Sequence, residues 1–164
     1  MAAADTQRQS ISPTAKTAML IRRPVAEVFE AFVDPAITAN FWFTRGSGRL
    51  EPDAHVRWDW EMYGFTAHAT VRGIERHRRI LVEWGPQGGP TTAVEWLFTA
   101  RSDGTTFVEV ANSGFRGDTE AILAQVVDST GGFTFVLAGL KAWLEHGIRL
   151  NLVADRHPDG FEAH

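Results

Sequence analysis

The sequence predicts an α+β domain in which an antiparallel sheet with one apolar face is closed by a long helix near the C-terminus. Three observations predict it. From Arg49 to Ser113 the chain breaks into short segments of alternating polarity, separated by turns rich in glycine, proline and aspartate. From Gly132 to Gly147 (GFTFVLAGLKAWLEHG) the residues Phe133, Val136, Leu137, Leu140, Trp143 and Leu144 recur at three- and four-residue steps, which makes one stripe of a helix. Six tryptophans and eleven phenylalanines stand against one tyrosine, so large apolar surfaces come with few polar handles. The stripe needs a surface to lie on, and the sheet needs a cover.

In chain order, residues 1–14 are small, polar and aperiodic, and read as a leader ahead of a single domain at 15–148 and a tail at 149–164. Lys16 to Arg22 reads as the first strand. Pro24 opens a helix carrying Val25, Val28, Phe29 and Phe32, and Asp34-Pro35 ends it while capping a second short helix with Ile37, Phe41 and Trp42. The pair connects the first strand to the sheet, and Gly46 to Leu50 is a loop. His55 to Tyr63 alternates strictly, with Val56, Trp58, Trp60 and Met62 inward and His55, Arg57, Asp59, Glu61 and Tyr63 on the solvated face. Phe65 to Ile74 points Phe65, Ala67, Ala69 and Val71 inward, with a bulge at Gly73. The basic turn Arg76 to Arg79 leads to a strand at Ile80 to Trp84, and Gly85 to Pro90 is a loop. Val94, Trp96 and Phe98 form the next inward set. The Asp103-Gly104 turn then joins it to Thr106–Ser113, where Val108, Val110 and Asn112 face in. Asp118 caps a helix that Gly131-Gly132 interrupts before the principal helix, whose Thr134, Lys141, Glu145 and His146 lie on the solvent side and whose C-terminal cap is Gly147. The Pro158-Asp159-Gly160 turn gives the tail a non-helical end.

Bulk properties exclude several classes. The absence of cysteine removes disulfide and thiolate chemistry and suits a cytoplasmic protein, and a formal net charge of −4 gives no footprint for nucleic acid. Apolar runs such as Ala18 to Ile21 are too short for a signal core or a membrane span. The six histidines show neither a paired spacing nor an HExxH word, and Asp155, His157 and Asp159 sit in a tail without supporting structure, so no metal site is expected. There is no GxSxG elbow, GxGxxG or P-loop, and no cofactor is expected.

The order of elements, together with four words, resembles a known family. RRPVAEVFEAFVDPAITANFWF (Arg22 to Phe43), RRILVEWG, DGTTFVEVANSGF and GGFTFVLAGLKAWLEHG are similar, in that order, to blocks of the bacterial proteins named for homology to the activator of the heat-shock-protein ATPase. The resemblance implies a helix-grip fold of the START-like, birch-pollen-allergen-like and polyketide-cyclase-like superfamily: a curved antiparallel sheet of about six strands gripping the C-terminal helix, with two short helices after the first strand. It also implies a cavity between sheet and helix that takes hydrophobic or amphipathic small molecules, and some members are cyclases or hydratases. The sequence departs from the family pattern on the inner surface, where Phe133 stands in a place usual for Trp and Asn112 in one often held by His.

The candidate binding residues are Trp58, Trp60, Met62, Trp84, Trp96, Phe98, Asn112, Phe133, Leu137 and Leu140. Any one of these aromatics can simply fill a core, but four indoles facing Ala67 and Ala69 pack unevenly and favour a concave apolar pocket. Asn112 is either a polar contact for a ligand or a strand-end residue bonded to nearby backbone. No acid or base falls inside, and no catalytic residue is assigned. Binding of an apolar or amphipathic small molecule is the first reading, a cyclase- or hydratase-type enzyme in the same cavity the second, and a chaperone-associated interaction domain the third. Only the family name suggests the third. Outward Leu97 and Phe107 and the apolar segment Ile148 to Val153 suggest a homodimer.

Overall fold

A computed structural model describes residues 12–160. Most of the 1–14 leader and the last four residues of the tail lie outside the described residues. The elements are β1 (Ala15–Ile21), α1 (Val25–Val33), α2 (Pro35–Thr38), β2 (Arg45–Gly46), β3 (His55–Trp60), β4 (Phe65–Glu75), β5 (Arg79–Gly85), β6 (Thr92–Ala100), β7 (Thr106–Ser113), α3 (Thr119–His146) and α4 (Leu152–Arg156). The strands form one seven-stranded sheet in the order β1-β7-β6-β5-β4-β3-β2, antiparallel throughout. The strand beyond the expected six is β2, a two-residue pairing of Arg45 and Gly46 with Asp59 and Trp58 at the entry to the stretch read as a loop.

Strict alternation puts one residue in two on the inner face, and bulky partners meet small ones across the strands: Trp58 lies opposite Ala67 and Trp84 opposite Ala69. The register shifts between Val71 and Gly73, at the expected bulge. Alternation fails after Trp60. Because Trp60 pairs directly with Phe65, residues 61–64 are left to make the connection, and they form a single 3₁₀ turn closed by left-handed Gly64 (φ 62°). Met62, expected inward, is therefore 43% exposed.

α1 and α2 do more than connect. Phe29 and Phe32 on α1, with Phe41 beyond α2, pack under the sheet against Trp96 and Phe98. Asp34 caps α2 by accepting from Ala36 N at 3.0 Å, and the Thr38 hydroxyl donates to Ala31 O at 2.6 Å, which fixes the angle between the two helices.

Gly131-Gly132 does not interrupt α3, which is one 28-residue helix. A helical glycine costs about 1 kcal/mol relative to alanine, which long flanking turns absorb. The Thr130 and Thr134 hydroxyls donate back to Val126 O and Thr130 O, both at 2.7 Å, which keeps both side chains compatible with the helix. Asp118 caps its start and left-handed Gly147 its end, as the sequence indicates. Only the second half is seated: Phe133, Val136, Leu137 and Leu140 are buried, while Leu123 and Val127 in the first half are 61% and 65% exposed.

The side of α3 read as solvent-facing grips β1 instead. Thr134 Oγ1 lies 2.8 Å from Thr17 Oγ1. Lys141 Nζ donates to Leu20 O at 2.9 Å and to Glu145 Oε2 at 2.7 Å, and Arg22 N also donates to Glu145 Oε2. Burial alone would raise the Glu145 carboxyl pKa, but its bonds from Lys141 and Arg22 N outweigh that and hold it below the usual carboxylate range. By length and composition α3 could cross a bilayer, since its 28 residues have a mean hydropathy of 1.4 over their most apolar stretch. Phe133, Val136, Leu137 and Leu140 of its second half are buried against the sheet, which seats that half in the core of the domain.

The tail carries a short helix ahead of its non-helical end. It folds back after Gly147, with Arg149 Nε donating to Asn40 Oδ1 at 2.9 Å and its guanidinium 5.9 Å from the Trp143 ring, and then forms α4. The Pro158–Gly160 turn follows as expected, with Gly160 at φ 81°.

Two glycines test this description of α3. A Cβ at Gly131 meets nothing, so Gly131→Ala should stabilise the fold by about 0.5–1 kcal/mol, at roughly 2–4 °C of Tm per kcal/mol. A Cβ at Gly139 would sit 3.2 Å from Phe41 Cβ and 3.3 Å from Phe41 O, so Gly139→Ala should lower Tm. Thermal melts read both signs, and a destabilised Gly131→Ala protein would mean the helix is broken at the glycine pair.

Candidate functional site

Because α3 rests on the sheet through its second half alone, a cleft of ≈ 890 Å³ opens between its first half and the inner face. The floor is aromatic, with Trp60 from β3, Phe65 from β4, Trp84 from β5 and Trp42 from the chain just past α2. Phe133 and Val136 of α3 face it, Asn112 and Ser129 lie at one side, and Tyr63 and Val153 are at the other.

Trp42 is the hub of this surface. Its ring centroid lies 5.0 Å from Trp58, 5.6 Å from Trp84, and 5.8 Å from each of Trp60, Trp96 and Phe133, in tilted and edge-on geometries that aromatic quadrupoles favour. Trp42 and Val153 also border a smaller cavity of ≈ 230 Å³, whose lining includes Asn40, Met62 and Arg149.

The structure divides the ten candidate residues. Trp60, Trp84, Asn112 and Phe133 line the cleft. Trp58, Trp96, Phe98, Leu137 and Leu140 lie beneath it in the core, because the aromatics of α1 and of the chain after α2 plug that end of the concave face. Trp58 stacks on Phe43 at 5.4 Å, and Phe98 meets Phe29 at 5.3 Å. Trp96 Nε1 is a buried nitrogen with no acceptor among the described residues. Met62 lies apart at the smaller cavity, with Thr44 Oγ1 3.9 Å from its sulfur.

The hydrogen bonds of Asn112 match the reading of a residue bonded to nearby backbone. Its Nδ2 donates to Ala93 O at 2.8 Å and Thr92 Oγ1 at 2.9 Å, while its Oδ1 accepts from Ser129 Oγ at 2.8 Å. The amide donors are used by the protein, and Oδ1 keeps one acceptor site. Asn112 is thus a strut that ties the loosely seated half of α3 to β7.

Sequence reasoning missed Trp42 and Tyr63. Trp42 was read as part of a helical stripe, but α2 stops at Thr38. The adjacent aromatics of Phe41-Trp42-Phe43, which a single helical stripe cannot bury together, were the available signal. Tyr63 was read as outward by alternation, and the 3₁₀ turn rotates it into the cleft wall, where its hydroxyl donates to Val153 O. Burial pushes the Tyr63 phenol above its usual range, so at neutral pH it keeps its proton. The remaining outward row of β3 is engaged with itself: Arg57 and Thr66 hydrogen-bond Asp59 and hold its carboxyl below the usual range, and His55 Nδ1 lies 2.9 Å from Thr70 Oγ1. Outward Glu83 pairs with Arg72 at 3.1 Å. Among the described residues no three acidic or histidine side chains gather as a metal site.

Residues 22–145 match the family described as Activator of Hsp90 ATPase homolog 1-like protein. Among solved structures, protein SSP2350 from Staphylococcus saprophyticus is 28% identical with a TM-score of 0.73, over 84% of this chain and 96% of that one. DynU16, from the dynemicin biosynthetic locus, is 25% identical with a TM-score of 0.73, over 83% of this chain and 48% of its own length. The Aha1 dimer from Colwellia psychrerythraea shares 15% identity with a TM-score of 0.69, over 82% and 98% of the two chains, a likeness of fold. No curated protein matches the chain. The sheet and α3 form the helix-grip arrangement of these structures.

If Asn112 is the strut, Asn112→Ala should leave Thr92 Oγ1 and Ala93 O without their donor and cost about 1–3 kcal/mol. Hydrogen exchange should then accelerate in residues 119–131 of α3 and stay slow in 133–144. Uniform acceleration along the helix would show that Asn112 supports the fold as a whole and not this end of it.

Proposed function

We propose, from the premise that the chain belongs to the Activator of Hsp90 ATPase homolog 1-like family, that it binds an apolar or amphipathic small molecule in the cleft between the sheet and the first half of α3. One observation carries the reading: an apolar cleft of ≈ 890 Å³ with an aromatic floor, in the size range of pockets that hold drug-sized ligands. Affinity would come from buried apolar area, at about 25 cal/mol per Å², and orientation from the few polar groups at the edges.

A cyclase- or hydratase-type enzyme is the second reading. Its support is that Tyr63 and His157 bring two ionisable side chains into the cleft lining, with ring centroids 6.0 Å apart, and that DynU16 belongs to a biosynthetic locus. A chaperone-associated role rests on the family's name alone. A cytoplasmic protein that forms a homodimer completes the proposal. The dimer is supported by exposed Leu97 on the outer face, by exposed Ile148 and Leu150, and by the dimeric Colwellia protein.

Two measurements test this. A panel of sterols, fatty acids, flavonoids and polyketides should contain compounds that shift the intrinsic tryptophan fluorescence. Trp60→Ala should weaken their binding at least tenfold, while Glu61→Ala, exposed and paired with Arg45 at 3.2 Å, should leave it unchanged. Equal losses, or no binder in the panel, would reduce the aromatics to packing. Sedimentation equilibrium at about 100 μM should show a dimer, and a clean monomer there would exclude one with Kd below about that value.

A further inference from the structure

We infer that the C-terminal segment 148–157 makes the cleft selective for ligands bearing a carboxylate on an apolar body, with Arg156 as the group that pairs with it. The inference rests on the reading of the cleft as a ligand site. The segment lies beyond the family-matched residues 22–145.

The segment is held in place at several points. Left-handed Gly147 (φ 66°) and Asn151 (φ 55°) reverse the chain, Arg149 bonds Asn40, and the Tyr63 hydroxyl donates to Val153 O. Val153, Arg156 and His157 thereby become part of the cleft lining. The charged groups of that lining are segregated. Glu120 and Asp128 sit on the first half of α3, where Ser129 is tied to β7 through Asn112. Arg156 and His157 sit at the end of α4, beside the turn between β3 and β4. The neighbouring acid, Asp155, is outside the lining.

Arg156 makes no ion pair within 4.0 Å among the described residues, and a bound anion would supply its partner. A planar guanidinium matches a carboxylate with two parallel hydrogen bonds. A phosphate dianion recruits several cations or a run of backbone N–H groups, and here there is one guanidinium beside one imidazole. The body of the ligand lies over Trp60, Phe65 and Trp84, and the basic end of the lining receives the charge.

The test uses the full chain and two matched probe pairs: 11-(dansylamino)undecanoic acid with its methyl ester, and 1-pyrenebutyric acid with its methyl ester. Fluorescence titration should show the wild type binding an acid about five- to tenfold more tightly than its ester, the range of a partly exposed charge pair. Arg156→Gln should remove that preference and leave ester affinity within about twofold, and Arg156→Lys should keep part of it. Unchanged ester binding also shows that the variant is folded. A preference in either pair supports the proposal, and the pair that shows it tells an acyl chain from a flat ring. Acid and ester bound alike by the wild type, or acid and ester weakened alike by Arg156→Gln, would overturn the proposal while leaving the cleft a ligand site. Failure of the wild type to bind any of the four probes would overturn both.

Discussion

The seating of α3 governs the rest of the molecule. A helix of 28 residues is about 42 Å long, more than one curved sheet can cover while its far end is already filled. Leu137 and Leu140 are buried completely, and the Lys141–Glu145 pair locks the same half to the end of β1. Gly139 lets the helix backbone approach Phe41 closely, which sets its height above the sheet there. Among the described residues the first half is tied to the sheet through Asn112, whose hydrogen bond to Ser129 spans from β7, and to the preceding loop through Gln125 Nε2, which donates to Arg116 O. The cleft is the space left where packing stops and a single polar strut holds the helix over the sheet.

Packing decides which aromatics face that space. α1 and the chain after α2 lay Phe29, Phe32, Phe41 and Phe43 on the sheet, and Trp58, Trp96 and Phe98 are consumed as core beneath them. Trp42 sits at the border and touches both populations, so one ring belongs to the core on one side and to the cleft on the other. Asn112 spends its amide donors on backbone and side chain, and the Tyr63 hydroxyl is also engaged. On the proposed reading, a surface built this way would recognise shape and apolar area first, with charge confined to its edges. Relatives that share the fold need not share a ligand.

Much of this was legible from residue order. Strand alternation outside residues 61–63, the Asp118 and Gly147 caps, the bulge at Gly73 and the Asp103-Gly104 turn depend on near neighbours along the chain, and the structure carries them as read. The helix-grip architecture was legible too, since a one-faced sheet and a one-striped helix leave few ways to bury both. Trp60, Trp84, Asn112 and Phe133 reach the cleft lining because period-two and period-3.6 rules place them on inward faces.

What the sequence by itself determined, then, is which side of each element is apolar and where most elements start and stop. The tertiary structure alone decided which apolar side chains would be covered. Periodicity tells inside from outside but not what each inward side chain borders: Trp58 and Trp60, two residues apart, are both buried in the core, and only Trp60 also borders the cleft. It also carries no information about long-range hydrogen bonds, which turned Lys141 and Asn112 into supports. The same limit applies to Met62 and Tyr63, whose exchange of sides follows from a hairpin register set by Trp60 and Phe65. The continuity of α3 through Gly131-Gly132 was likewise a tertiary outcome: about 1 kcal/mol per glycine of local preference for a break is smaller than what the buried second half and the capped first turn together return.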